Sequence, residues 1–328
     1  MDRQHGKLLV IHRLIASTVD EGSREQGAPS ITSEVMEDAL VSRYGPLMKT
    51  ASPQTVNSTP HLGDFLREWR QRRRMSQMDL ALEAEISTRH LSFLETGRSQ
   101  PSREMVLLLA EKLDMPLRER NIMLVSAGYA PVYSQRSLDD PALASMRQAV
   151  DLVLRGHDPY PALAVDRHWS LVSANDALVS LIGDVDPALM KPPVNVLRLS
   201  IHPAGLARRI VNFTEWRNHL VHRLRGQVDA TGDAALAALI EELRSYPTPD
   251  AAARGPKAGH DYAGIVVPLQ LLTEEGVLTL FSTTTIFGTP VDVTLSELAI
   301  EAFFPADPET VAALGRLAEK RRAAAVAG

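Results

Sequence analysis

The stretch that most constrains the fold is Gln77 to Pro101, QMDLALEAEISTRHLSFLETGRSQP, which reads as two short helices joined by a tight turn, with polar side chains loaded onto the second. Upstream, Leu62, Phe65, Leu66 and Trp69 recur at three- and four-residue steps, predicting an amphipathic helix over 62–73. Its other face carries Arg67, Arg70, Arg72, Arg73 and Arg74. Ser76 with Asp79 three residues on is a near capping box, so a second helix starts at about Gln77 and buries Leu80, Ala81 and Ala84. The alanines let two helices approach closely. Ser87 is the next N-cap, Leu91 and Leu94 are the inward pair of a third helix, and Gly97 can end it in a left-handed conformation. Pro101 and Ser102 open a fourth helix with Met105, Leu108, Leu109 and Leu113 apolar; Pro116 opens a fifth that runs toward Gly128.

The residues left outward at the start of the third helix are Thr88, Arg89 and Ser92, the arrangement with which a helix reads the DNA major groove. Residues 62–115 resemble the Xre helix-turn-helix family, the Cro and lambda-repressor type, through LREWRQRRRMSQMDLALEAEISTRHLSFLETGRSQPS: the Ser-Gln opening of helix two, the Leu-Ala pair within it and the Glu-Thr-Gly-Arg ending of helix three. The resemblance implies an all-α five-helix DNA-binding domain over 61–130. In it Gln77 anchors a phosphate, Thr88, Arg89 and Ser92, with the N-cap Ser87 beside them, meet base edges, and Arg98 and Ser99 return to the backbone. Arg89 is the sharpest candidate, since a guanidinium can bond guanine O6 and N7 together.

A chain of 328 residues has room for about one more domain beyond this block. Residues 61–130 carry 11 Lys and Arg against 10 Asp and Glu, residues 131–328 carry 18 against 23, and the first sixty carry 6 against 7. Positive charge is thus focused on the first helix, and DNA affinity is expected from a placed patch doubled by homodimerisation. With no cysteine, disulfides, thiolate metal sites and cysteine nucleophiles are excluded and a reducing cytoplasm is compatible. No run of about eighteen apolar residues could span a bilayer, and His12 and Arg13 interrupt Leu8 to Ile15, so neither a membrane nor a secretory role is expected and the expected location is cytoplasmic. Residues 1–60, rich in Ser, Thr, Gly and Pro, read as a flexible extension, with a helical turn conceivable at Leu40 to Leu47 and Met48 as an alternative start of translation.

After a linker over 131–141, Leu143, Met146, Val150 and Val153 mark a helix. Ala162 to Asp166 and Trp169 to Ser173 read as strands around an Asp-Arg-His turn, followed by a helix from Asn175. Leu206, Ile210, Phe213, Leu220 and Leu224 predict a long helix, and Ala234 to Leu243 a second. Ile265 to Leu272, Val277 to Phe287 and Leu295 to Phe304 read as strands, and a terminal helix follows Pro308. This is an α+β domain over 142–315 with an antiparallel sheet and helices on one face, residues 316–328 being the helix end and tail. The order resembles a PAS-like sensor domain. The strings YPALAVDRHW (160–169), IVNFTEW (210–216) and FSTTTIFGTPVDVTLSELA (281–299) resemble the ligand-binding domain of MmyB-like transcription regulators, which similarly carry an Xre domain in front. Over residues 61–315, that resemblance implies a one-component regulator whose pocket takes a small lipid-like or fatty-acid-like molecule.

The residues offer no competing chemistry. His219 and His222 lie three apart on a helix, yet no third metal ligand stands at a suitable interval. Thr283, Thr284 and Thr285 have no base beside them, and no nucleophile elbow, phosphate loop or dinucleotide fingerprint is present, so neither catalytic residues nor a cofactor are expected. The alternative is an enzyme or ligand-storage domain fused to a vestigial DNA-binding module. Trp169, Phe213, Trp216, Phe281 and Phe287 are the expected walls of an apolar site, with Arg209, Asn212 and Arg217 as a polar anchor at its mouth. Expected partners are double-stranded DNA at a two-fold operator, a small hydrophobic ligand and a second copy of the chain.

Overall fold

A computed structural model describes residues 61–183, 185–249, 267–287 and 292–327. The expectations for residues 1–60 and the predicted strand start at Ile265 lie outside the described residues.

Five helices form the first body: α1 (Leu62–Arg72), α2 (Gln77–Glu83), α3 (Thr88–Glu95), α4 (Arg103–Lys112) and α5 (Leu117–Ser126). Serine hydroxyls start three of them, accepting from the N–H of Asp79 at 3.1 Å, His90 at 3.1 Å and Met105 at 3.2 Å, each cap contributing about 1 kcal/mol. At α2 the box is complete, because the Ser76 N–H also donates to Asp79 at 2.8 Å. Gly97 (φ 69) ends α3 in the left-handed region as expected. Gly63 is needed for another reason: a Cβ there would lie 2.3 Å from the Glu95 carbonyl oxygen, so only glycine lets α1 cross the end of α3. Leu66, Trp69, Leu80, Leu91, Leu94 and Leu109 fill the core. On α4 the buried stripe is Val106, Leu109, Ala110 and Leu113, and Met105 and Leu108 are only half-buried. An uninterrupted run of apolar residues gives no phase from which to read the inward side.

The second body is a five-stranded antiparallel sheet in the order β2-β1-β5-β4-β3, formed by β1 (Ala162–Val165), β2 (Leu171–Ala174), β3 (Leu269–Thr273), β4 (Gly276–Ile286) and β5 (Ala299–Pro305). Helix α6 (Ala144–Gly156) packs Val150 and Leu154 against Ala162, Ala164 and Ile300 on one face, so that face is covered too, contrary to the single covered face expected. On the other lie α7 (Asp176–Ile182), α8 (Val196–Ile201), α9 (Phe213–Thr231) and α10 (Ala234–Ser245), whose Leu181, Leu197, Phe213, Trp216, Leu220, Leu224 and Leu239 meet Leu163, Val165, Leu271 and Leu280 in one core. Asn175 is the polar hub of this arrangement. Its Oδ1 accepts from the N–H of Ala162 and Leu178, and its amide donates to the carbonyls of Leu154 and Tyr160, joining α6, β1 and α7.

Two elements differ from expectation. The long helix begins at Phe213 rather than Leu206, because a 3-10 turn over Ala207–Arg209 is followed by extended backbone in which the Val211 N–H donates to the Gln270 carbonyl at 2.9 Å. Leu295 to Leu298 is not strand. Asp292 caps a short helix, α11 (Val293–Ser296), before β5, and α12 (Pro308–Ala327) follows it.

Polar contacts join the two bodies. Arg118 of α5 makes a two-pronged bond to Glu297, both prongs 2.7 Å, and Arg72 of α1 donates to the Val228 carbonyl at the end of α9 at 3.3 Å. Between the bodies, Asn121 accepts from the N–H of Val132 and Tyr133, both at 3.1 Å, and the Ser134 hydroxyl donates to Asp292 at 3.0 Å. Asn175→Ala strands two carbonyls and two N–H groups at a buried site and should cost on the order of 3 kcal/mol. Chemical denaturation followed by tryptophan fluorescence measures this; a loss below about 1 kcal/mol would show that other groups replace the hub.

Candidate functional site

On α3, the exposed residues at the N-terminal turn are Thr88 and Arg89, with the N-cap Ser87 also exposed and Ser92 half-buried one turn on. Ser87 accepts from the His90 N–H, which fixes it as a cap. The Arg89 guanidinium lies 5.3 Å from the centre of the Phe93 ring one turn further, a cation–π contact that leaves its N–H edge turned to solvent. Arg98 is exposed and Ser99 half-buried just after the helix.

Gln77 is positioned from below. Its amide donates to Glu95 at 2.8 Å, and the Glu95 carboxylate, 2% exposed, also receives Arg70 at 2.7 and 3.0 Å and Arg67 at 3.4 Å. Burial opposes the charge of Glu95, but the bonds from Arg70 and Gln77 and the Arg70 charge outweigh it and hold its carboxyl below the usual range. The arrangement ties α1, α2 and α3 at one ionised group and leaves the second amide hydrogen of Gln77 for an acceptor such as a phosphate oxygen. It also corrects the expected basic patch. Arg70 is buried on Glu95, Arg73 donates to the Leu113 carbonyl at 2.7 Å, and Arg72 is shared between Glu68 and the Val228 carbonyl. Much of the α1 charge therefore holds the fold together.

The second site is a cavity of about 90 Å³ between the sheet and its covering helices. That is several times the ~10–15 Å³ one water needs, yet the walls give water few partners. They are mostly aliphatic: Leu163, Leu178, Leu197, Leu220, Leu271 and Leu280 among others. Trp169 and Trp216 line the cavity as well, each with its indole N–H satisfied, on Gln227 at 2.8 Å and on Ser200 at 3.0 Å. Trp169 holds its place with φ 65 in the β1–β2 turn.

The other expected wall and anchor residues lie elsewhere. Phe213 is fully buried in the core without lining the cavity. Phe281 stacks on Phe304 at 5.4 Å on the opposite face of the sheet, because Leu280 points inward and strand side chains alternate. Phe287 packs with the α6 cluster. Arg209 donates to the carbonyls of Leu181, Ile182 and Leu272. Asn212 bonds the backbone at Pro268 and Gln270, and Arg217 donates to the Tyr246 carbonyl and lies over Phe213. These three clamp backbone. The polar groups that do reach the cavity are Ser200, Arg223 and Glu301. A glutamate at an inward position of the otherwise apolar β5 was a visible signal for Glu301; Arg223 and Ser200 carried none.

His219 stacks on Trp216 at 5.4 Å, and burial, with the Arg223 charge, pushes its pKa down, whereas His222 is exposed. Among the described residues no three metal-ligating side chains cluster, and no helix is long and apolar enough to cross a membrane.

The chain matches a helix-turn-helix domain over residues 61–121 and the MmyB-like transcription regulator ligand binding domain over residues 146–317. No curated protein matches it. Among solved structures it is similar, at 10% identity and a TM-score of 0.24 over 90% of this chain and 69% of the other, to an RNA-binding Light-Oxygen-Voltage receptor. A five-helix body that matches a helix-turn-helix domain, a five-stranded antiparallel sheet covered by helices and a family match over more than half of the sequence place the chain in the MmyB-like family, as a transcription regulator with a ligand-binding domain.

Proposed function

We propose that this regulator binds double-stranded DNA as a homodimer, reading base edges with Thr88, Arg89 and Ser92 of α3, while a small lipid-like molecule with a fatty-acid-like chain occupies the cavity and sets the strength of that binding. The observation that carries the ligand reading is the cavity itself: its aliphatic and tryptophan walls suit a chain that cannot form hydrogen bonds. For DNA, the support is the exposure of the α3 start, with Arg89 in no ion pair among the described residues, and a Gln77 amide steadied by Glu95. Two copies with reading helices about one DNA turn apart would bind both halves of a two-fold operator at once.

For DNA, Arg89→Ala should abolish most discrimination between operator and random duplexes, whereas Arg98→Ala should weaken both alike and make the dependence of log affinity on log salt shallower by about 1. Fluorescence anisotropy on DNA from upstream of the gene and on scrambled DNA separates these; equal losses on both duplexes for Arg89→Ala would remove it from base reading.

For the cavity, long-chain lipids should raise the melting temperature with the logarithm of free ligand above its dissociation constant. Val196→Phe, which fills the cavity from α8, should suppress that rise while changing unliganded stability by no more than about 1–3 kcal/mol. A lipid-dependent shift that persists undiminished in Val196→Phe would place the lipid elsewhere.

A further inference from the structure

The polar groups of the cavity wall bear on which end of a lipid it accepts. Glu301 is 3% exposed and sits on the inward face of β5 beside Phe303, another lining residue. Its two oxygens receive Arg223 at 2.7 and 3.1 Å and the Thr284 hydroxyl at 2.6 Å, and Arg223 in turn also donates to Thr284 at 2.7 Å. The guanidinium lies over the Trp169 ring at 4.8 Å. Its charge is therefore balanced by a carboxylate that the protein supplies itself. Arg209 and Arg217, the arginines expected to meet an acid, are bonded to backbone carbonyls. His219, which stacks on the lining residue Trp216, is pushed toward its neutral form by burial and by Arg223. Arg223 and Glu301 thus cancel, and among the described residues that line the cavity there is no other cation.

We infer that the ligand selected by this cavity is a long-chain lipid with an uncharged head, such as an alcohol or an ester, rather than a fatty-acid anion. An incoming carboxylate would either displace Glu301 from Arg223, leaving a buried carboxylate without its partner, or add a second negative charge beside a pair that is already neutral; a neutral head does neither. Ser200 offers what such a head needs. Its oxygen accepts from Trp216, and its own proton is available to donate to an alcohol or ester oxygen.

This inference rests on the cavity being the ligand site, and the test separates the two. Calorimetric or thermal-shift titration of the full-length protein near neutral pH uses palmitate, cetyl alcohol and methyl palmitate, which share one chain and differ in the head. The alcohol and the ester should bind at least about tenfold more tightly than palmitate. In Glu301→Gln, which leaves Arg223 uncompensated, palmitate should gain about tenfold while the alcohol stays within about twofold. Palmitate binding to the wild type as tightly as the neutral lipids would overturn the inference and leave the cavity reading standing. Glu301→Gln with the head preference unchanged would overturn the role given to Glu301. Binding of none of the three would overturn both the inference and the cavity reading.

Discussion

The bond between Arg118 and Glu297 is where two separately cored bodies become one molecule. The buried side chains of the five helices form one cluster and those beneath the sheet another, so the junction between them is held by polar contacts. Arg118 and Glu297 are each less than a fifth exposed, burial opposes the charge of Arg118, and the bonds and charge of Glu297 outweigh that cost. Around the pair, Arg167 lies 3.8 Å from Glu297 and 3.7 Å from Asp233, and His168 bonds Asp233 at 2.9 Å. Burial works against the Asp233 charge too, and His168 and Arg167 hold it well below the usual carboxylate range. Half-buried ionic junctions of this kind give orientation more than stability, because desolvation consumes most of the attraction. Orientation is what a reading helix requires.

The same residues lie a short step from the cavity. Glu297 precedes β5 by two residues, and Glu301 and Phe303 of that strand line the cavity, so wall and junction are four residues apart in the chain. The second connection is the β1–β2 turn, where Arg167 faces the junction and Trp169 faces the cavity with one residue between them. A ligand that widened the cavity would press on β5 and on this turn. Either displacement bears on Glu297 and hence on the seating of α5, without any need for a distant relay.

Much of the first body was legible in the sequence because its signals are local: Ser76, Ser87 and Ser102 each cap the helix that they precede, and Gly97 ends α3 where it was expected. What local signals miss is partnership. The α1 arginines announce a charged face, but Glu95, which takes up Arg70, is 25 residues away, and nothing in the sequence says that they meet. In the second body, Leu206, Ile210 and Phe213 keep helical spacing, while the bridge to Leu271 of β3 and the Val211 N–H bond to Gln270 keep Ile210 extended. Of the five aromatic residues expected as walls, Trp169 and Trp216 line the cavity and Phe213, Phe281 and Phe287 do not. Periodicity along LTLFSTTTIF does not say which parity faces inward, and Phe281 falls on the outer face. Arg209, Asn212 and Arg217 are polar residues of the expected type whose bonding capacity is taken by backbone groups that only the fold brings near.

We propose that cavity and reading helix communicate through the Glu297 junction. This coupling is tested most directly by the dissociation constant for DNA from upstream of the gene, measured by anisotropy with and without a saturating cavity ligand, in the wild type and in Arg118→Ala. The account predicts a ligand-dependent change of at least about fivefold in the wild type, of the size of ordinary coupling between sites, shrinking to less than about twofold in Arg118→Ala. Ligand binding that leaves the wild-type DNA affinity unchanged, or a full response in Arg118→Ala, would contradict it.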